Sequence, residues 1–235
     1  MLETRDLEKR FAGLRAVNGA SLRVEAGTIT ALIGPNGSGK TTTFDLITGN
    51  VRPDAGTVHF EGRDVTGLPP WQVARLGIAR SFQLPRLFAE MTVLENLTAA
   101  VRGGSLRAAI RRALDLLGFV GLDGLPHAPA ASLSYGQRKL VELARVLMLR
   151  PRLCLLDEPF AGVNPTLARA IADRLTALQR EGTTLLVVDH DMPLIMGLAE
   201  TVLVMDMGRV IAAGRPQDIR DDPRVREAYF GTAKH

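Results

Sequence analysis

The residues Gly34-Pro35-Asn36-Gly37-Ser38-Gly39-Lys40-Thr41 follow the spacing G-x-x-x-x-G-K-[ST]. Glycines at those places let consecutive backbone N–H groups turn inward around an anion. A helix starting near Lys40 would aim the positive end of its dipole at the same charge. Lys40 is long enough to reach the β and γ phosphates of a nucleotide, and the Thr41 hydroxyl is a hard oxygen ligand for Mg2+. The loop follows an apolar stretch, Thr28-Ile29-Thr30-Ala31-Leu32-Ile33, and precedes helix-compatible sequence. That is the strand–loop–helix context such a phosphate loop needs. By itself the pattern does not separate kinases, GTPases, helicases and transport ATPases.

A second place for chemistry is Leu153-Cys154-Leu155-Leu156-Asp157-Glu158-Pro159, an apolar run that ends in two acids. In parallel sheets, ligands sit beyond the carboxyl ends of strands. Asp157 is then placed to hold Mg2+ through water, and Glu158 to polarise an attacking water. Alone, the pair could equally be a helix-capping acid and a surface glutamate; the phosphate loop upstream selects the catalytic reading. Thr184 to Val188 ends in the same way, at Asp189-His190-Asp191. His190 there can donate to a γ-phosphate oxygen, or serve as an ordinary capping or surface residue.

The elements that must position these groups follow from patterning. The first 30 residues alternate and are punctuated by Gly13, Gly19 and Gly27, which predicts short strands. A helix is expected over Lys40 to Thr48, a strand over Gly56 to Glu61, and a helix opening at Pro69-Pro70. From Leu84 to Arg150 the character is helical. Thr92-Val93-Leu94-Glu95 and Ser134-Tyr135-Gly136-Gln137 are capping-box patterns. Leu106 to Leu117 has helical spacing that Gly118 should end, Gly121 to Pro129 reads as a loop, and a helix from Ser134 should reach Leu149 ahead of Pro151. Strands over Leu153 to Leu156, Thr184 to Val188, Thr201 to Met205 and Arg209 to Ala213 alternate with helices over Pro165 to Arg180 and Pro193 to Leu198. The alternation implies an α/β fold with a largely parallel sheet and a helical insertion on one side.

Composition narrows the class. With 46% hydrophobic and 23% charged residues the chain resembles an average globular protein, and no run approaches the length of a membrane span. The N-terminus, Met1 to Asp6, has no apolar core of a signal peptide, and one cysteine, Cys154, allows no internal disulfide. These features indicate a cytosolic protein. A net charge of +4 could suggest nucleic acid, but the bases are dispersed and aromatics make up 5%, so no nucleic-acid partner is expected.

Leu133-Ser134-Tyr135-Gly136-Gln137 resembles the LSGGQ signature of ABC ATPases, with Tyr135 in place of the first glycine, and Gly136 lies 21 residues before Asp157. The resemblance covers essentially the whole chain. Gln83 in Ser81-Phe82-Gln83 looks like the Q-loop glutamine that senses Mg2+ and the γ-phosphate. Phe11 looks like the aromatic that stacks on adenine, although patterning alone favours a core position for it. His190 matches the H-loop histidine. Ala161-Gly162-Val163-Asn164 occupies the D-loop position, with Asn164 where Asp is frequent. Arg86 to Leu97, Leu133 to Gln137, Ala161 to Pro165 and Arg226 to Gly231 look like ATPase subunits of branched-chain amino acid importers, with a shorter stretch between Ala100 and Leu114 than many members have.

The resemblance implies a P-loop NTPase (RecA-like) core with an N-terminal antiparallel β subdomain and an inserted helical subdomain. Residues 1–83 and 151–235 would form the nucleotide-binding core and residues 84–150 the helical part carrying the signature. ATP would be held by Phe11, by Gly34 through Thr41 with Thr42, and by Ser134, Gly136 and Gln137 of a second ATPase subunit. Thr41, Gln83 and Asp157 would serve Mg2+, and Glu158, His190 and Gln83 the hydrolysis. The expected partners are a second ATPase subunit, transmembrane permease subunits contacted through a groove lined by Leu84 to Leu97, and, indirectly, a periplasmic or extracellular substrate-binding protein. The chain would be soluble when isolated and peripheral at the cytoplasmic face of the inner membrane. Importers of urea or short amides share much of the pattern. A soluble ABC ATPase acting on nucleic acid or ribosomes, a P-loop kinase and a catalytically silent binding module fit less of it.

Overall fold

A computed structural model describes residues 1–101 and 103–230. The chain opens with a hairpin of β1 (Leu2–Phe11) and β2 (Leu14–Val24), in which Leu2 faces Val24 and Phe11 faces Leu14. These are two long strands, not the several short ones expected. Gly19 falls inside β2, and a register shift between Leu7 and Glu8, which pair with Ala20 and Asn18, absorbs it without ending the ladder. β4 (Ala55–Phe60) and β5 (Arg63–Asp64) complete an antiparallel sheet in the order β2-β1-β4-β5.

β3 (Ile29–Ile33) leads into the phosphate loop and α1 (Lys40–Ile47). Then come α2 (Pro70–Arg75) and β6 (Ile78–Arg80). The helical block is α3 (Val93–Thr98), α4 (Leu106–Val120) and α5 (Tyr135–Leu147). The chain returns to the sheet through β7 (Leu153–Asp157), α6 (Pro165–Arg180), β8 (Thr184–Val188), α7 (Met192–Leu198), β9 (Thr201–Asp206) and β10 (Arg209–Gly214). Two short helices, α8 (Pro216–Asp221) and α9 (Pro223–Phe230), follow. Gly231, which closes the C-terminal segment of the resemblance, lies outside the described residues.

The larger sheet runs β10-β9-β3-β8-β7-β6, with β10 antiparallel and every other pairing parallel. All five residues of β3, β7 and β8 are buried, as strands covered on both faces must be. The two-residue period divides them between two cores. Leu153, Leu155, Leu186 and Val188 pack with Leu7, Val17, Phe44 and Ile47 under the antiparallel sheet and α1. Cys154, Leu156, Leu185 and Val187 pack with Leu117, Val141, Ile171 and Ile195 under the other helices.

Several elements differ from expectation. α4 runs through Gly118 and ends at Gly121, which takes the left-handed cap conformation. A mid-helix glycine costs about 1 kcal/mol, whereas burying Val120 beyond it returns roughly 1.5–3 kcal/mol, so the helix continues. The stretch from Leu84 to Thr92 is not helical; α3 starts only behind the Thr92 capping box. The short β6, α8 and α9 carry too little periodicity to be read from sequence. Among the described residues no helix is long and apolar enough to cross a membrane.

Cys154 is fully buried in β7, and burial pushes its thiol up to about 12. Since only the thiolate reacts, Cys154 is expected to resist alkylation at pH 8 in the native chain and to react within minutes in denaturant. Mass spectrometry of the treated protein checks this, and native labelling would contradict the burial.

Candidate active site

Four adjacent parallel strands end at one edge of the larger sheet, and each delivers a predicted residue there. β3 runs into Gly34, β8 into Asp189 and His190, β7 ends on Asp157, and β6 leads through Arg80 and Ser81 to Gln83. Sheet pairing keeps these ends level: Asp157 is in register with Val188, and the Glu158 amide donates to the Val188 carbonyl at 2.7 Å.

The phosphate loop is braced from outside. The Gly208 amide donates to the Ser38 carbonyl at 3.0 Å, and the Asn18 amide donates to the Gly208 carbonyl at 2.9 Å. This clamp explains the glycines. At Gly34 (φ +150) a Cβ would lie 2.1 Å from the Met205 carbonyl oxygen, and at Gly39 (φ +103) 2.5 Å from that of Ala16. Lys40, only 7% exposed, donates to the carbonyls of Gly34 (2.8 Å) and Pro35 (2.9 Å). Its ammonium therefore sits inside the curl of the loop. Burial lowers its pKa, and the carboxylates of Glu158 and Asp157 work against that. Thr41 is exposed at the first turn of α1, while Thr43 turns inward to bond the Gly39 carbonyl at 2.9 Å.

Opposite the loop stand the acids. Glu158 accepts from Gln83 Nε2 at 2.8 Å, and its other oxygen is 3.1 Å from His190 Nε2. Three residues singled out from distant parts of the sequence thus meet on one carboxylate. The Glu158 backbone has φ +52, a left-handed conformation that costs a non-glycine residue roughly 1–2 kcal/mol. Asp157 is 4% exposed; burial raises its pKa, and the hydrogen bond from Arg80 (2.9 Å) opposes this.

Ser134 is exposed at the N-terminus of α5, and both bonds of its capping box with Gln137 are made. Gly136 and Gln137 lie in the same first turn. The Tyr135 ring rests on Gly162, where a Cβ would come within 2.8 Å of it. Asn164 caps α6 by accepting from the Leu167 amide at 2.9 Å, a role Asp could fill equally. Phe11 is 45% exposed at the end of β1, so the core position that patterning favoured is not where it lies. Within the loop Asn36 and Gly37 are exposed, the buried Ser38 donates its amide to the Pro35 carbonyl at 3.2 Å, and Thr42 follows Thr41 in α1.

Several residues of this neighbourhood have no role assigned from the sequence. Arg80, nearly buried, bridges Asp157 to Asp45 of α1 (2.5 Å). Asp189 accepts the amides of Phe160 (2.8 Å), His190 (2.7 Å) and Asp191 (3.0 Å), holding two loops together; burial raises its pKa. Glu142 of α5, also pushed up by burial, accepts the Phe82 amide at 3.1 Å. A charged residue inside an apolar pattern was the available hint for Glu142. Asp189 stood in the same strand-end position as Asp157.

The donors at the sheet edge suit a magnesium-bound nucleotide. Thr41 and Asp157 are hard oxygen ligands, the kind Mg2+ takes singly or in pairs when phosphates and water complete its shell. Among the described residues no three His, Cys, Asp or Glu side chains converge as an all-protein metal cage.

A family model described as ABC transporter matches residues 17–161, and one described as branched-chain amino acid ATP-binding cassette transporter matches residues 209–235. The chain is 41% identical to a probable branched-chain amino acid transport ATP-binding protein, LivG, of Archaeoglobus fulgidus, over 98% of this chain and 95% of that one. It is 40% identical to the high-affinity branched-chain amino acid transport ATP-binding protein BraF of Pseudomonas aeruginosa, over 99% and 98%. A solved ATP-binding cassette of an ABC transporter in its ADP conformation superimposes with a TM-score of 0.89 at 37% identity, covering 98% of both chains. A dimeric cassette in a post-hydrolysis state bound to ADP and Pi does so at 0.84 and 25% identity, covering 92% of this chain and 99% of that one.

Proposed function

The chain belongs to the ABC transporter family of ATP-binding subunits, and we propose that it powers the uptake of branched-chain amino acids. It binds and hydrolyses ATP. The substrate class is carried by one observation, the match of residues 209–235 to a model specific for branched-chain amino acid cassettes, and full-length relatives of that name support it.

In the working state two such subunits bury two ATP molecules between them. Each supplies Lys40 and Thr41 to the phosphates, Thr41, Asp157 and Gln83 to Mg2+, and Glu158 and His190 to hydrolysis. Phe11 stacks on adenine, and the other subunit closes the site with Ser134, Gly136 and Gln137. The bound metal would supply charge neutralisation of the β and γ phosphates. Permease subunits dock on the segment from Leu84 to Leu97 at the cytoplasmic face of the membrane and take substrate from a binding protein on the other side. Support for that docking surface comes from Asn96, which is fully buried and bonds the Phe88 amide and the carbonyls of Phe88 and Thr92. It thereby holds a loop that leaves Leu84 and Phe88 exposed.

Cells lacking this chain should lose high-affinity uptake of radiolabelled leucine, isoleucine and valine while keeping urea and amide uptake. The reverse result would assign the substrate to the amide group. Complementation with Ser134→Arg should restore no uptake, and the purified variant should bind ATP yet fail to dimerise on gel filtration. Dimerisation of that variant would remove the role of Ser134 on the neighbouring subunit.

A further inference from the structure

Lys139 lies on α5, beyond the turn that begins with Ser134, and is 8% exposed. Its ammonium donates to the backbone carbonyl of Glu158. The Glu158 amide is already held by Val188 of β8, so this second bond fixes the peptide on the other side of a residue with φ +52. Rotation of that residue is what would swing its carboxylate away from Gln83 and His190. The following residue is Pro159, which has no N–H to contribute a restraint of its own.

Burial opposes the Lys139 charge and lowers its pKa, while Asp189, Glu142, Glu158 and Asp157 act against that. The Tyr135 ring lies 5.7 Å from the ammonium. Ser81, Phe82, Glu142 and Asp157 share with Lys139 a cavity of about 20 Å³, roughly the space of one water. One turn further along, Glu142 holds the Phe82 amide next to Gln83. The same helix therefore grips the backbone of Glu158 and that of Phe82, the chain neighbour of Gln83.

We propose that Lys139 is a positioning residue that couples the N-terminus of α5, where Ser134 meets the partner's nucleotide, to the aim of Glu158 in its own subunit. ATP bound at one site then sets the geometry of hydrolysis at the other. The inference rests on the nucleotide-sharing dimer described under the proposed function.

The test is kinetic, on the assembled transporter, with equilibrium ATP binding and thermal melting measured in parallel. Lys139→Met should bind ATP within twofold of wild type and keep its KM, while kcat falls at least tenfold and the Hill coefficient for ATP drops toward 1. Lys139→Arg, which keeps the donor, should recover at least half of kcat and the cooperativity. Should Lys139→Met fail to fold, Lys139→Leu carries the same expectation, because it too removes the donor to the Glu158 carbonyl. A kcat within twofold of wild type, or ATP affinity falling in step with kcat, would overturn the coupling while leaving the ATPase reading intact. A wild-type assembly without ATPase activity would overturn both.

Discussion

Glu158→Gln is expected to bind ATP with near wild-type affinity, hydrolyse it at least a hundredfold more slowly, and accumulate as an ATP-bound dimer. The carboxylate is held from two sides, by Gln83 at 2.8 Å and His190 at 3.1 Å. That fixed aim is what a general base needs, and losing such a base costs about 10² to 10⁴ in rate. Glutamine keeps the volume and one carbonyl acceptor, so the backbone around residue 158 should not move. It removes a negative charge that would face a bound triphosphate, so nothing in the change weakens binding. Single-turnover phosphate release and gel filtration with ATP measure the two halves of the expectation. A monomeric variant with full turnover would rule out Glu158 as the base.

Lys40→Ala should lower ATP affinity at least about 100-fold, close to 3 kcal/mol. The ammonium lies in the curl of the loop, bonded to the Gly34 and Pro35 carbonyls, and charge-assisted bonds from it to phosphate are worth roughly 1.5–3 kcal/mol each. Burial already depresses the Lys40 pKa, so the folded chain holds this charge at a cost. Truncation relieves that cost, and the variant should melt close to wild type. Equilibrium binding of a fluorescent ATP analogue, with a melting curve as control, separates loss of the site from loss of the fold. Normal affinity would count against the loop as the phosphate site.

The proposed catalytic groups were legible because each stands at a strand end or in a turn, where the residue type has a local reason. Gly34, Gly39 and Lys40 announce a loop around an anion, and Asp157, Glu158 and His190 follow runs too apolar to be anything but buried strands. Both capping boxes, at Thr92 and Ser134, formed as their spacing implied. Helix ends were less legible, since Gly118 would stop a helix in water but not one whose next turn buries Val120. Phe11 shows the opposite error: an aromatic in an alternating strand suggests a core, yet it closes a hairpin whose end projects into solvent.

By itself the sequence determined the chemistry: a phosphate loop, an acid pair and a signature segment, each defined within a few neighbouring residues. Only the tertiary structure decided which side chains meet. Gln83, Glu158 and His190 converge because β6, β7 and β8 are neighbours in the sheet, an order set by crossover packing and not by chain order. Asp45 and Asp157 share Arg80, and Lys139 reaches Glu158, only once α1 and α5 are laid against opposite sides of β7. Each gives a charged side chain a partner in a place where burial makes an unpaired charge costly. No local pattern encodes them, because the partner that makes each one tolerable comes from another element.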